Sequence, residues 1–205
     1  DSRLSMKAKQ NLISAIKYAC TISEKTYAYI DTIIKWLEKL SQSEAFLQNF
    51  KEQDNAFFQT ISLLTFNTFE KEQSKAVDDR QIQLITALYH VFEKSPLLLA
   101  KCGPDTAKNL IVLLTKRTEP FELINRAIAL IFTLSDCPDV LPVIKKFSSQ
   151  LQHVLLTSKY PRVQLQILEL FWRLQIQMEN ISFINCDSQM FIGEAHKYMA
   201  EVNAE

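Results

Sequence analysis

The sequence predicts an all-helical protein of repeated helical units, and three observations carry that expectation. Glycine occurs only twice among 205 residues, at Gly103 and Gly193, whereas sheets need glycine for turns and bulges. The six prolines all lie between Pro96 and Pro161, mostly where an element would start, in a chain rich in the helix formers Leu, Ile, Lys, Gln and Glu. Apolar residues recur at the three- and four-residue spacing of a helix face through most of the chain.

The elements follow in order. Leu4 to Ser23 places Leu12, Ile13, Ile16, Ala19 and Cys20 on one face, and Thr26 to Leu40 does the same with Ile30, Ile33, Ile34 and Leu37. A break falls at Ser41 to Glu44, then a short helix to about Phe50 and a longer one from Asp54 to about Glu72. Asp54 has the residue type of an N-cap, its carboxylate able to accept from first-turn amides. The polar stretch Lys71 to Asp79 reads as a solvated connector, with Asp78 and Asp79 opening a helix to about Lys94 at the favourable end of its dipole. Further helices are expected at 105–117, 121–135, 139–157, 162–178 and 187–201.

Self-similarity organises these helices. Val112-Leu113-Leu114-Thr115 returns as Val154-Leu155-Leu156-Thr157, 42 residues on. Ser95-Pro96 falls opposite Cys137-Pro138 at the same shift, and Ala87-Leu88 opposite Ala129-Leu130. Each Val-Leu-Leu-Thr helix leads through a short polar turn to a proline, Pro120 or Pro161, and then to a long apolar helix. Near the start, Ala15 to Ser23 echoes Ala127 to Ser135. A helical period near 40 residues is the mark of an α-solenoid, in which units bury their apolar faces by stacking.

The segment Lys101 to Ser135 resembles an armadillo repeat: Gly103 stands where that family places a glycine between its first and second helices, 107–116 resembles the second helix and 121–135 the long third helix. HEAT repeats are similar enough to remain an alternative. The resemblance implies a right-handed α-solenoid of armadillo-like or HEAT-like repeats, one domain over 1–205, irregular over 1–77 and clearer over 78–205. It also implies a concave groove lined by third helices, where the peptide-binding members carry an Asn and a Trp on successive helices. The matching pairs here are Lys17 and Thr21, Leu63 and Asn67, Ala87 and Val91, Ala129 and Thr133, and Glu169 and Arg173; only Asn67 keeps the family residue. A regular backbone-gripping ladder is therefore not expected, nor a receptor for basic import signals.

The candidate partner-binding residues are Glu169, Trp172, Arg173 and Gln177 on the last long helix, with Asn67. Trp and Arg concentrate at binding hot spots because they join large contact area to directional donors. The packing alternative has Trp172 buried between repeats and Glu169 paired with Arg173 at i,i+4. Trp36 reads as packing, and Met190, Phe191, Ile192, Tyr198 and Met199 as the apolar face of a helix that caps the stack or meets a partner.

Chemistry is not expected. His90, His153 and His196 lie on separate helices, no glycine-rich phosphate loop or hydrolase motif occurs, and the paired acids suit helix starts. Cys20, Cys102, Cys137 and Cys186 form no C-x-x-C pair and read as buried thiols; Cys102, beside Gly103, has no neighbour in sequence to activate it. Lys plus Arg and Asp plus Glu are 23 each, without the basic excess a nucleic-acid binder uses against phosphate. No apolar run nears the ~18 residues that span a membrane. With no signal peptide the expected location is intracellular, nuclear or cytoplasmic, although Asn180-Ile181-Ser182 fits a glycosylation sequon. The chain opens at Asp1 without a methionine, which points to a fragment of a longer protein.

The expected function is thus a non-catalytic protein–protein interaction scaffold, without metal or cofactor, holding a helix or extended segment of another protein. The alternative is a self-association module forming a homodimer. A third class, a GTPase regulator acting through one inserted side chain, would need an exposed loop arginine, for which Arg117 is the candidate.

Overall fold

The computed structural model describes residues 2–21, 27–43, 47–48, 50–51, 54–69, 74–174, 193, 195–197 and 200. Among these residues there are nine helices with assigned bounds and no strand, so the chain is all-α. They are α1 Ser2–Thr21, α2 Tyr27–Ser41, α3 Asn55–Phe69, α4 Lys75–Lys94, α5 Pro96–Lys116, α6 Phe121–Leu134, α7 Leu141–Lys146, α8 Ser148–Thr157 and α9 Pro161–Arg173. Of the predicted 187–201 helix, residues 193, 195–197 and 200 are helical, while Met190, Phe191, Ile192, Tyr198 and Met199 lie outside the described residues. The sequon at 180–182 does too.

Local chemistry explains where helices start. Ser74 caps α4, its hydroxyl accepting from the Val77 amide at 3.3 Å, so the helix opens earlier than Asp78 and Asp79 suggest. Asp78 is instead a first-turn residue whose carboxylate takes a buried arginine. Ser95 caps α5 through the Leu98 amide, with Pro96 in the first turn, where its missing N–H costs nothing. The predicted 105–117 helix therefore begins at Pro96.

α5 also runs unbroken through Gly103 and Pro104, where the resemblance places a division between two helices. Pro104 removes one helical hydrogen bond. Packing explains the glycine: a Cβ there would stand 2.9 Å from Val140 Cγ2 and 3.4 Å from Leu99 Cδ1. Gly103 is thus a point of close approach rather than a hinge. The division occurs in the next unit instead, where Phe147 separates α7 from α8.

Asp54 does precede a helix, but its Oδ2 accepts from Lys51 N at 3.0 Å and Lys9 Nζ at 2.6 Å. The cap position was readable, whereas its use as a clamp on α1 was not.

The helices pack in two rows. α1 packs on α3, α3 on α5 and α5 on α8; alongside, α2 packs on α4, α4 on α6 and α6 on α9. Cross-rungs join α1 to α2, α3 to α4, α5 to α6 and α8 to α9. The core lies between the rows and includes Ile16, Ile34, Leu64, Leu84, Leu88, Leu110, Ile111, Leu123, Ile131, Val163 and Ile167. Two buried glutamines tie rungs together: Gln81 Nε2 donates to Thr68 O at 3.0 Å, and Gln164 Nε2 to Leu155 O at 3.2 Å. Within the irregular 41–77 stretch, α3 takes a regular place in the first row, and Leu47 and Phe50 enter the core against Phe57.

Candidate partner-binding surface

α9 has its apolar residues turned inward, yet Trp172 is 83% exposed. Burying an indole removes a large apolar area from water, so an indole left in solvent gains nothing for the fold. The packing alternative for Trp172 is thereby overturned. Trp36, read as packing, is also exposed, on α2.

Arg173 lies with its guanidinium 4.8 Å from the Phe132 ring centroid and donates from Nη2 to Asp136 Oδ1 just beyond α6. It therefore couples α9 to α6 rather than pairing along its own helix. Glu169, four residues earlier, keeps a buried Oε2 with no hydrogen-bond partner. Burial pushes its carboxyl up, with the Arg173 charge pulling the other way. Gln177 lies outside the described residues.

Asn67 belongs elsewhere. It sits on α3 in the first row, while Glu169, Trp172 and Arg173 sit on α9 in the second. Its Nδ2 donates to Leu63 O at 2.9 Å, within its own helix. The same row assignment separates Lys17 and Thr21, on α1, from the pairs on α4, α6 and α9, so the expected pairing mixed two faces of the stack. Ala87 and Val91 are buried and line no surface.

Sequence reasoning missed the groove between α4 and α6. It is a half-open space of about 330 Å³ lined by Ile85, Ala129 and Leu130 together with Thr86, Tyr89, His90 and Arg126. Arg126 bridges the helices, Nε to Glu122 Oε1 at 2.5 Å and Nη1 to Thr86 Oγ1 at 3.2 Å. The available signal was the outward helical spacing of Thr86, Tyr89 and His90, which the apolar pattern outweighs. Groove, Phe132, Arg173 and Trp172 follow one another across α4, α6 and α9.

Two residues weighed for chemistry, Arg117 and Cys102, are buried. Arg117 is no loop finger: it is 5% exposed at the end of α5, with Nη2 2.6 Å from Asp78 Oδ1 and 3.4 Å from Gln81 Oε1. Cys102 is buried, and desolvation followed by the charge of Asp105 pushes its thiol up to about 12, far from a reactive thiolate. Cys137 is also a buried free thiol. Among the described residues no three His, Cys, Asp or Glu side chains are grouped to hold a metal ion, and no helix is long and apolar enough to cross a membrane. Comparison with protein-family models, curated proteins and solved structures finds no match to this chain.

Proposed function

We propose that the chain is a right-handed α-solenoid of armadillo-like or HEAT-like repeats, serving as an intracellular, non-catalytic scaffold. Its partner is a helix or an extended segment of another protein, held on the outer face of α4, α6 and α9. The observation that carries this reading is Trp172, a hot-spot residue type left 83% exposed beside Arg173 on a helix otherwise well packed.

The two-row packing supports the solenoid, since each helix meets its counterparts one unit before and one unit after. Burial supports a regular register. Leu84, Leu88 and Phe92 of α4 are followed by Leu123, Ala127 and Ile131, 39 residues on, and then by Val163, Ile167 and Phe171, 40 further on. Four acid–base pairs have the acid in the earlier unit, Asp31 with Arg80, Asp78 with Arg117, Glu119 with Lys159 and Asp136 with Arg173, while Lys9 with Asp54 runs the other way.

Capture from cell extract with the native chain and a Trp172→Ala/Arg173→Glu variant tests the reading. A partner bound by the first and lost from the second is expected. A partner kept by both moves the site to another surface. Absence of any partner, with a dimer forming as concentration rises in light scattering, overturns the scaffold in favour of self-association.

A further inference from the structure

We propose that the groove between α4 and α6 is the subsite for a carboxylate side chain of the partner segment, a Glu or Asp flanked by apolar residues. The inference rests on the scaffold reading and adds the chemistry of what is held. The groove's apolar lining is Ile85 and Leu130, both buried, with the methyl group of exposed Ala129 beside them. Its polar lining is one guanidinium, one imidazole and two hydroxyls, from Arg126, His90, Thr86 and Tyr89; no carboxylate lines the space itself, and the nearest are Glu122 on Arg126 and Glu93, 3.8 Å from His90. An apolar stem ending in a negative charge complements that lining.

Arg126 has donors to spare. Of its five N–H groups, Nε is engaged by Glu122 and Nη1 by Thr86. The Glu122 pair is exposed and helical, a type worth little, whereas a second carboxylate entering the partly enclosed groove makes a charge-assisted bond in a drier place. A single permanent cation suits a carboxylate better than a dianionic phosphate, which draws several.

The test is an NMR titration of the chain with two capped peptides, acetyl-Leu-Glu-Leu-Glu-Leu-amide and its Gln counterpart, read at the Ala129 and Leu130 methyls and the His90 ring. The Glu peptide is expected to shift these signals and bind about tenfold tighter than the Gln peptide, the worth of one charge-assisted hydrogen bond. Arg126→Gln should make the two peptides equal. Ala129→Leu, an exposed position, should fill the groove and abolish both while the fold persists. Equal binding of the two peptides, shifts at another surface, no binding, or an affinity indifferent to Arg126→Gln overturns the proposal. A captured protein partner lost with the Trp172 variant but kept by Arg126→Gln would remove this subsite and leave the scaffold standing.

Discussion

The two ends of the stack make the same kinds of contact at different distances along the chain. From α4 onward, polar contacts linking one unit to the next span 36 to 40 residues: Asp78 and Gln81 to Arg117, Thr86 to Arg126, Glu119 to Lys159 and Asp136 to Arg173. Upstream they span more, 45 from Lys9 to Asp54, 49 from Asp31 to Arg80 and 44 from Thr65 to Asn109. For the first two contacts the surplus lies between α2 and α3, and its described part is not looped out: Leu47 and Phe50 are buried, and the Phe50 ring lies 4.6 Å from Phe57 with Lys9 4.4 Å above it. Extra chain is absorbed by adding core, so packing rather than spacing keeps each helix in its row.

The largest expected effect breaks the regular end. Arg117→Ala leaves Asp78 as an uncompensated buried charge, and stability measured by urea unfolding should fall by ~3–5 kcal/mol. The paired replacement Asp78→Leu/Arg117→Met should lose much less, because it removes both charges together. At the irregular end, Phe50→Ala should cost about 3 kcal/mol, near the low limit for such truncations because the Lys9 stem can partly collapse into the space. Hydrogen exchange would sharpen the comparison: protection should drop in α1 and α3 and hold in α6 and α9. A uniform drop would mean that the two ends unfold as one unit.

Gly103→Ala probes the close approach of α5 to Val140. The added methyl gains about 1 kcal/mol of helix propensity but meets a fully buried side chain at 2.9 Å, an overpacking that costs ~1–3 kcal/mol. The net change should be a modest loss that turns into a gain when Val140→Ala supplies the room, a coupling read from a double-mutant cycle.

Smaller still is the pH dependence of the clamp on α1. Burial raises the Asp54 carboxyl, but the Lys9 and Lys51 hydrogen bonds and charges outweigh it and hold the group below its ordinary 3.8. The folded chain therefore favours the carboxylate. Its contribution is complete above 3.8 and is lost as pH falls through that value and below. Lys9→Met should lower stability at neutral pH, with the difference closing as the solution is acidified.

How much of this was legible follows from which forces the sequence displays. Helices appear as apolar periodicity, and so most were readable. Their bounds moved where a serine outcompeted a nearby aspartate, as Ser74 did over Asp78. The sequence recurs as Val-Leu-Leu-Thr at 42 residues, yet burial recurs at 39 and 40, because matching words need not occupy matching environments: Val112 is half-buried and Val154 buried. The row of each helix was not readable, since only tertiary contact assigns it. That is why Asn67 was grouped with α9. Arg117 failed for a related reason, for a polar residue at a helix end gives no sign in sequence of a buried acid 39 positions earlier.

Trp172 gives the smallest stability effect and the sharpest separation of fold from function. At 83% exposure its indole has little burial to lose, so Trp172→Ala should change unfolding free energy by less than about 0.5 kcal/mol, the range of ordinary surface substitutions. Arg173→Ala should cost slightly more, since it also removes the contact to Phe132 and the pair with Asp136. Buried Phe171, next in sequence, should cost several-fold more than either when truncated, being part of the core. If Trp172→Ala is as damaging as Phe171→Ala, the indole is structural and α9 has no free face. If it is silent in unfolding and still abolishes partner capture, the residue is kept for what it touches outside the chain.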